Sequence, residues 1–340
     1  MNKTKILGII LMIVLMAQHV HGNEGKTPRQ KADPQKFTRI DTTFKSQGTT
    51  CAAWLYLPKG VSRPPVVIMA HGFGGERTMR LPAYAEYFVS QGLGCLVFDY
   101  RTFGDSKGEP RNYVNPTRHL EDWQAAITFA RSLDSVDNKR MALWGTSFSG
   151  GHVIVTAART PGISAIVAQV PFVDGRSSGR SFGYKLQAVY HGLLDAIGAA
   201  LFNHRHYVPM VGGPDTFAML NTPDALEGAK KLLPPSVSPG RKCPANIALT
   251  SFFYRPIKFA PKVVCPALII YAQQDTLISP QDVRKTAKSM QKTTVIGLPV
   301  KHFDVYEGET FEKVVKLEAE FLKKQFARAP VGLRKDAGIK

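Results

Sequence analysis

The stretch Leu143-Trp144-Gly145-Thr146-Ser147-Phe148-Ser149-Gly150-Gly151 decides the reading of this chain. An apolar run from Arg140 to Trp144 leads into it and has the character of a buried strand. Small residues follow and give way to a helix-like segment from His152 to Arg159. A serine at so tight a strand-to-helix turn is held in a strained backbone with its hydroxyl exposed. The residues two before and two after it must be small, because strand and helix nearly collide there. Gly145 and Ser149 fill those slots, with serine where glycine is usual and Gly150 directly behind it. The pattern is a nucleophile elbow and makes Ser147 the candidate for attack on a carbonyl carbon. An ordinary Ser/Gly-rich turn ahead of a helix would give the same string, so the remaining parts must carry the argument.

An acyl-transfer serine needs a base, an acid to orient the base, and donors for a developing oxyanion. Downstream, Pro266 to Ala272 reads as a buried strand that runs into Gln273-Gln274-Asp275, which puts Asp275 at the strand's C-terminal end. Open α/β sheets bind ligands at that edge. A helix-like run from Pro280 to Gln291 and a short strand from Thr293 to Leu298 come next. Lys301-His302-Phe303-Asp304-Val305-Tyr306 then places His302 in the loop after the last strand. Serine, acid and histidine thus occur in the chain order required when the serine sits on an elbow. Upstream, the strand Pro65 to Ala70 is followed by His71-Gly72-Phe73-Gly74-Gly75, whose glycines let backbone N–H groups turn toward a ligand. The amides of Phe73 and Phe148 are the expected oxyanion donors.

These strings, together with Phe98-Asp99-Tyr100-Arg101, resemble the α/β-hydrolases, and among them bacterial esterase and serine-peptidase-like members of the Xaa-Pro dipeptidyl-peptidase type. The resemblance spans about residues 37 to 326. It implies a mostly parallel eight-stranded sheet with helices on both faces and a helical cap insertion. It implies Ser147 as nucleophile, His302 as base and Asp275 as acid, with no cofactor and no metal. Asp174, just after the strand from Ile163 to Val170, and Asp304, two residues beyond His302, are rival acids; Asp275 itself would also serve as a helix cap. His71 is expected to support the oxyanion loop and His152 to pack. His204 and His206 have ligand-like spacing, but no cluster completes a metal site.

The 340 residues suffice for one α/β domain with an insertion. Lys3 and Lys5, the apolar run from Ile6 to Ala17, and the small residues at Val20-His21-Gly22 read as a signal peptide over 1–22; an uncleaved anchor helix is the alternative. A polar leader (23–36) and tail (329–340) flank the core, which is expected over 37–170 and 261–328 with a cap over 171–260. The protein is therefore expected to be exported to the periplasm or beyond, with no membrane span once the leader is removed. The formal charge of +18 falls to +16 without residues 1–22. No Arg-rich or aromatic-interleaved stripe suggests nucleic-acid binding. Of the four cysteines, Cys51 and Cys95 begin strands that the resemblance makes antiparallel neighbours, too far apart to bond. Cys243 and Cys265 flank the return from the insertion and are left open.

More than ninety residues separate the strand ending near Val170 from the one starting near Pro266, far more than a crossover needs. Gly179 to Phe202 and Pro223 to Leu233 have helical apolar spacing, with a loop from Val208 to Pro214 between them. Leu193, Leu194, Ile197 and Phe202 are expected either to line an acyl pocket or to pack the cap onto the core. The partner is then a small-molecule ester or a short peptide. Ester hydrolysis is the first reading, because the cap carries few acids to hold a peptide amine. Peptide or amide hydrolysis and a non-catalytic binding module are the alternatives.

Overall fold

Four strands consist wholly of buried residues, β3 (Pro65–Ala70), β4 (Gly94–Phe98), β6 (Ala165–Gln169) and β9 (Ala267–Ala272), as does the second half of β5 (Asp137–Thr146). Continuous apolar runs of this kind suit parallel strands covered on both faces. In the computed structural model, which describes residues 36–177, 181–238 and 240–328, they form the centre of an eight-stranded sheet. Its order is β1-β2-β4-β3-β5-β6-β9-β10, with β1 (Phe37–Ser46), β2 (Thr49–Pro58) and β10 (Thr293–Leu298) completing it. Only β2 runs against the rest. The described residues fall in one compact unit. The expected signal peptide, the leader through residue 35 and the tail lie outside them.

Each face of the sheet carries its own core. On one lie α2 (Pro116–Ser132) and α3 (Phe148–Arg159), contributing Trp123, Ile127 and Val153. On the other lie α1 (Leu81–Ser90) and, following α7 (Pro280–Lys288) in the chain, α8 (Gly308–Ala327), contributing Tyr84, Phe88, Phe311 and Val314. The sequence signals for α2 are realised: Asn115 accepts a hydrogen bond from the Arg118 amide and Pro116 opens the helix. Helix α1 was not anticipated, and it turns out to brace the histidine loop. All four cysteines are buried free thiols. Cys95 stands opposite Tyr56 in the β2–β4 ladder, five residues along β2 from Cys51.

Between β6 and β9 the chain forms α4 (Phe182–Phe202), β7 (Tyr207–Pro209), α5 (Ala225–Leu232), β8 (Lys242–Pro244) and α6 (Ile247–Thr250), then three short 3₁₀ turns. Two expectations are corrected here. The segment Val208–Pro214 is not all loop, because Val208 pairs with Cys243 in the β7–β8 ladder and both are buried. More consequentially, the apolar face of α4 points outward. Leu193, Leu194, Ile197 and Phe202 are all exposed, so they neither line a pocket nor pack the insertion onto the core. The reason lies on the opposite face. Asp195 is fully buried, pairs with Arg205 at 2.6 Å, and accepts from the amides of His206 and Asn246. A buried carboxylate with three partners fixes which side of the helix turns inward.

Beneath β5, Glu318 of α8 is completely buried and accepts a hydrogen bond from Trp144 Nε1 at 2.9 Å. Burial pushes its carboxyl up to about 8, from an ordinary value of 4.5. Between those values the folded chain holds a proton that the unfolded chain has lost, so stability falls as pH rises from about 4.5 to about 8. Glu318→Gln is expected to flatten this slope and to stabilise the protein near neutral pH by roughly 1–3 kcal/mol. Urea denaturation from pH 5 to pH 8 measures it; an unchanged slope would mean that Glu318 is ionised in the fold.

Candidate active site

Ser147 sits between β5 and α3 with φ 55° and ψ −119°, a conformation that costs a non-glycine residue strain. The helix begins at Phe148, directly after the serine and a turn earlier than the Ser/Gly-rich sequence suggested. At Gly145 an added Cβ would lie 2.3 Å from the Ser149 carbonyl oxygen, so no side chain fits. Ser149, the departure from the usual glycine, is fully buried with its hydroxyl 2.8 Å from Tyr100 Oη, which accepts in turn from Trp123 Nε1 at 2.9 Å. The extra oxygen is therefore satisfied inside the core.

The three side chains that the sequence nominated come together across 155 residues of chain. His302 Nδ1 donates to Asp275 Oδ2 at 2.7 Å, and Nε2 lies 3.1 Å from Ser147 Oγ. Because a carboxylate only accepts, Nδ1 carries the proton and Nε2 is left free to accept from the serine. The other Asp275 oxygen accepts from the amides of Leu277 and Ile278 at 2.8 and 2.9 Å, which locks the carboxylate's plane. Both rival acids are engaged elsewhere: Asp174 forms a forked pair with Arg255, and Asp304 accepts from the Lys301 amide. Helix α1 grips the histidine loop, Tyr84 Oη donating to the Val305 carbonyl and Arg80 Nε to that of Tyr306.

The loop after β3 approaches the serine so closely that a Cβ on Gly72 would lie 2.8 Å from that of Ser147. Gly74 takes a left-handed φ of 64° against Met210. His71, held well below the ordinary histidine range at about 4 by burial, is neutral and donates from Nδ1 to the Gly72 carbonyl. The amides of Phe73 and Phe148 donate to no other group among the described residues. The Phe98-Asp99-Tyr100-Arg101 string supports this region. Asp99 accepts from the Arg77 backbone amide and pairs with its guanidinium, and Arg101 pairs with Asp122 and Glu121 of α2. Arg241, which nothing in the sequence marked, reaches from the insertion to donate to the Gly74 carbonyl at 2.6 Å and to pair with Glu76 at 2.8 Å.

Ser147 and His302 open into a cavity of about 860 Å³, its open mouth included. Its apolar wall comes from Met210, Val211, Leu220 and, on α5, Leu226, Ala229 and Leu232, where the sequence suggested α4. Helix α5 can press on the residue next to the histidine because Gly228 has no side chain: a Cβ there would lie 2.2 Å from the Phe303 ring. Asp224, ahead of α5, accepts from Thr276 beside Asp275, and Lys231 pairs with Glu307. Lys230 and Arg241 line the cavity, but among the described residues no Asp or Glu does. Elsewhere His152 bonds Tyr254 and His119 in the core beneath the elbow, and burial lowers it to about 3. His206 stacks on His191, and His204 is exposed. No group of three or more His, Cys, Asp or Glu side chains among the described residues is arranged to hold a metal.

A doubly covered, mostly parallel sheet with a serine at the central strand-to-helix turn and a histidine past the last strand defines an α/β-hydrolase. Comparison with known proteins agrees. The signature of the X-Pro dipeptidyl-peptidase (S15 family) matches residues 47–206. Quorum-quenching protein AidA of Acinetobacter baumannii is 38% identical over 287 residues, covering 84% of this chain and 94% of its own. Polyketide transferase af380 of Aspergillus fumigatus is 26% identical over 302 residues, covering 85% and 99%. The crystal structure of the alpha/beta hydrolase GrgF from Penicillium superposes with a TM-score of 0.74 at 23% identity, over 85% of this chain and 99% of that one. The chain belongs to the α/β-hydrolase superfamily, in its Xaa-Pro dipeptidyl-peptidase-like family.

Proposed function

We propose that this protein is a serine hydrolase that cleaves carboxylic esters through an acyl-enzyme. One observation carries the reading: the Ser147–His302–Asp275 relay opens into an apolar cavity whose described lining holds cations but no carboxylate. His302 Nε2 takes the Ser147 proton as Oγ attacks the carbonyl carbon. Asp275 orients the ring and stabilises its cation. The Phe73 and Phe148 amides receive the oxyanion, and the leaving alkoxide takes the proton back from His302. Water, activated by His302 in the same way, then releases the acid. The transferase name of the Aspergillus relative supports a covalent group-transfer step. Ser147→Ala or His302→Ala is expected to lower turnover by roughly 10⁴–10⁶ with folding intact, and Asp275→Asn by somewhat less. Asp174→Asn should be silent; the reverse ranking of the two aspartates in steady-state kinetics would remove Asp275 from the relay.

The family match to a peptidase favours the second reading, hydrolysis of short peptides. Its substrate has a cationic amine, which needs an acceptor. The cavity lining offers Lys230 and Arg241 in its place, already paired with Glu227 and Glu76, and among the described residues no carboxylate of its own to receive the amine. An amide nitrogen must also be protonated as it leaves, which demands a more firmly held substrate than an ester does. Activated esters of short to medium acyl chains are therefore expected to show higher kcat/KM than any aminoacyl amide. Faster cleavage of a prolyl amide than of a butyrate ester, measured side by side, would give the protein to the peptidases. Failure of a fluorophosphonate to label Ser147 would leave only a binding module.

Export is part of the same proposal, resting on Lys3, Lys5 and the apolar run from Ile6 to Ala17. The exported protein is expected to begin at Asn23. N-terminal sequencing of the periplasmic or culture fraction checks it, and an intact Met1 there would identify an uncleaved anchor.

A further inference from the structure

Helix α4 is amphipathic in the inverted sense. Asp195 and His191 face the protein: Asp195 holds Arg205, and His191 bonds His206 at 2.8 Å. Its large apolar side chains face out, with Phe182 at 76%, Leu193 at 48% and Phe202 at 72% exposure. Leu186, Val189, Tyr190 and Ile197 continue the stripe at spacings of three and four residues, and Leu201 extends it. With about 150–250 Å² for a full aromatic side chain, the outward face of α4 amounts to something on the order of 1,000 Å² of apolar surface, well beyond what a monomer ordinarily leaves bare.

We propose that this face is the contact between two copies of the chain, with α4 packed antiparallel against α4 about a two-fold axis at Leu193. Three features select this occupant. A stable dimer covers about 800 Å² per partner, and burying most of the α4 stripe meets that figure. The helix is compatible with itself under this pairing: Tyr190 comes opposite Ala196 and Leu186 opposite Ala200 of the second copy, while Val189 meets Ile197 and Leu193 meets its own counterpart, so apolar side chains face apolar side chains on both sides of the axis. The only charged residue on the outward face is Lys185, toward one end and away from the axis. A helix lying on a lipid surface carries several Lys or Arg around its apolar stripe, and α4 lacks them. No helix among the described residues is long and apolar enough to span a membrane.

Sedimentation velocity of the full chain at micromolar concentration tests this. The expected species has twice the 37.4 kDa chain mass. Leu193→Glu sets two carboxylates face to face on the axis and is expected to weaken association at least ~100-fold, leaving a monomer with unchanged circular dichroism. Should that variant fail to fold, cross-linking decides. All native cysteines are buried, so a short bismaleimide acts only on introduced ones. Leu193→Cys should link to itself. Leu186→Cys should link poorly alone and efficiently when mixed with Ala200→Cys. A wild-type monomer, a Leu193→Glu dimer, or equal linking at all positions would overturn the proposal. So would a monomer that floats with phosphatidylglycerol vesicles and loses them on Leu193→Glu, which would assign the face to lipid.

Discussion

The arrangement around the cavity follows from the backbone of one residue. Ser147 is held at φ 55° where β5 meets α3, and that turn exists only because Gly145 yields its Cβ space to the Ser149 carbonyl. Strain of a kilocalorie or more at such a residue persists only when the surroundings over-determine it. Here they do so from both sides: β5 is locked between β3 and β6, and α3 is packed on Tyr100, His119 and Phe172 through Phe148 and His152. The rigid sheet absorbs the distortion so that Oγ projects into the cavity.

The same logic organises the electrostatics. Two buried histidines near the serine are kept neutral. His71 and His152 are desolvated until they cannot hold a proton near neutral pH, so they add no competing charge beside His302. Asp275 spends one oxygen on two backbone amides and the other on the imidazole, which leaves the ring a single orientation. The insertion is tied into this arrangement. Arg241 holds the Gly74 carbonyl, α5 lies on Phe303, and Asp224 touches the acid loop through Thr276. Any shift of the insertion is therefore felt at the oxyanion loop and at the histidine.

The alignment of strand ends explains why so much of the site was legible in sequence. A buried parallel strand is a run of apolar residues, and its C-terminal end is where the run stops, so Asp275 and the His71–Gly75 loop could be placed at the sheet edge from sequence alone. The elbow is legible because its sterics demand small residues at fixed offsets. Helix α1 escaped because Leu81-Pro82-Ala83-Tyr84 announces no ordinary cap: Arg80 takes a left-handed φ of 63° with no side-chain bond to the helix.

The sequence by itself determined the order of the strands' chemistry, the serine, the acid and the histidine, because each is dictated by local sterics or by where an apolar run ends. Only the tertiary structure decided which apolar residues line the cavity beside Ser147. Periodicity shows that α4 has an apolar face but not which way that face turns. A single buried carboxylate, Asp195 with its guanidinium and two amides, turned it outward and left the cavity to the short helix α5. Desolvating a charge without those partners costs more than exposing a stripe of leucines, and that balance is struck between elements distant in sequence, where no local pattern records it.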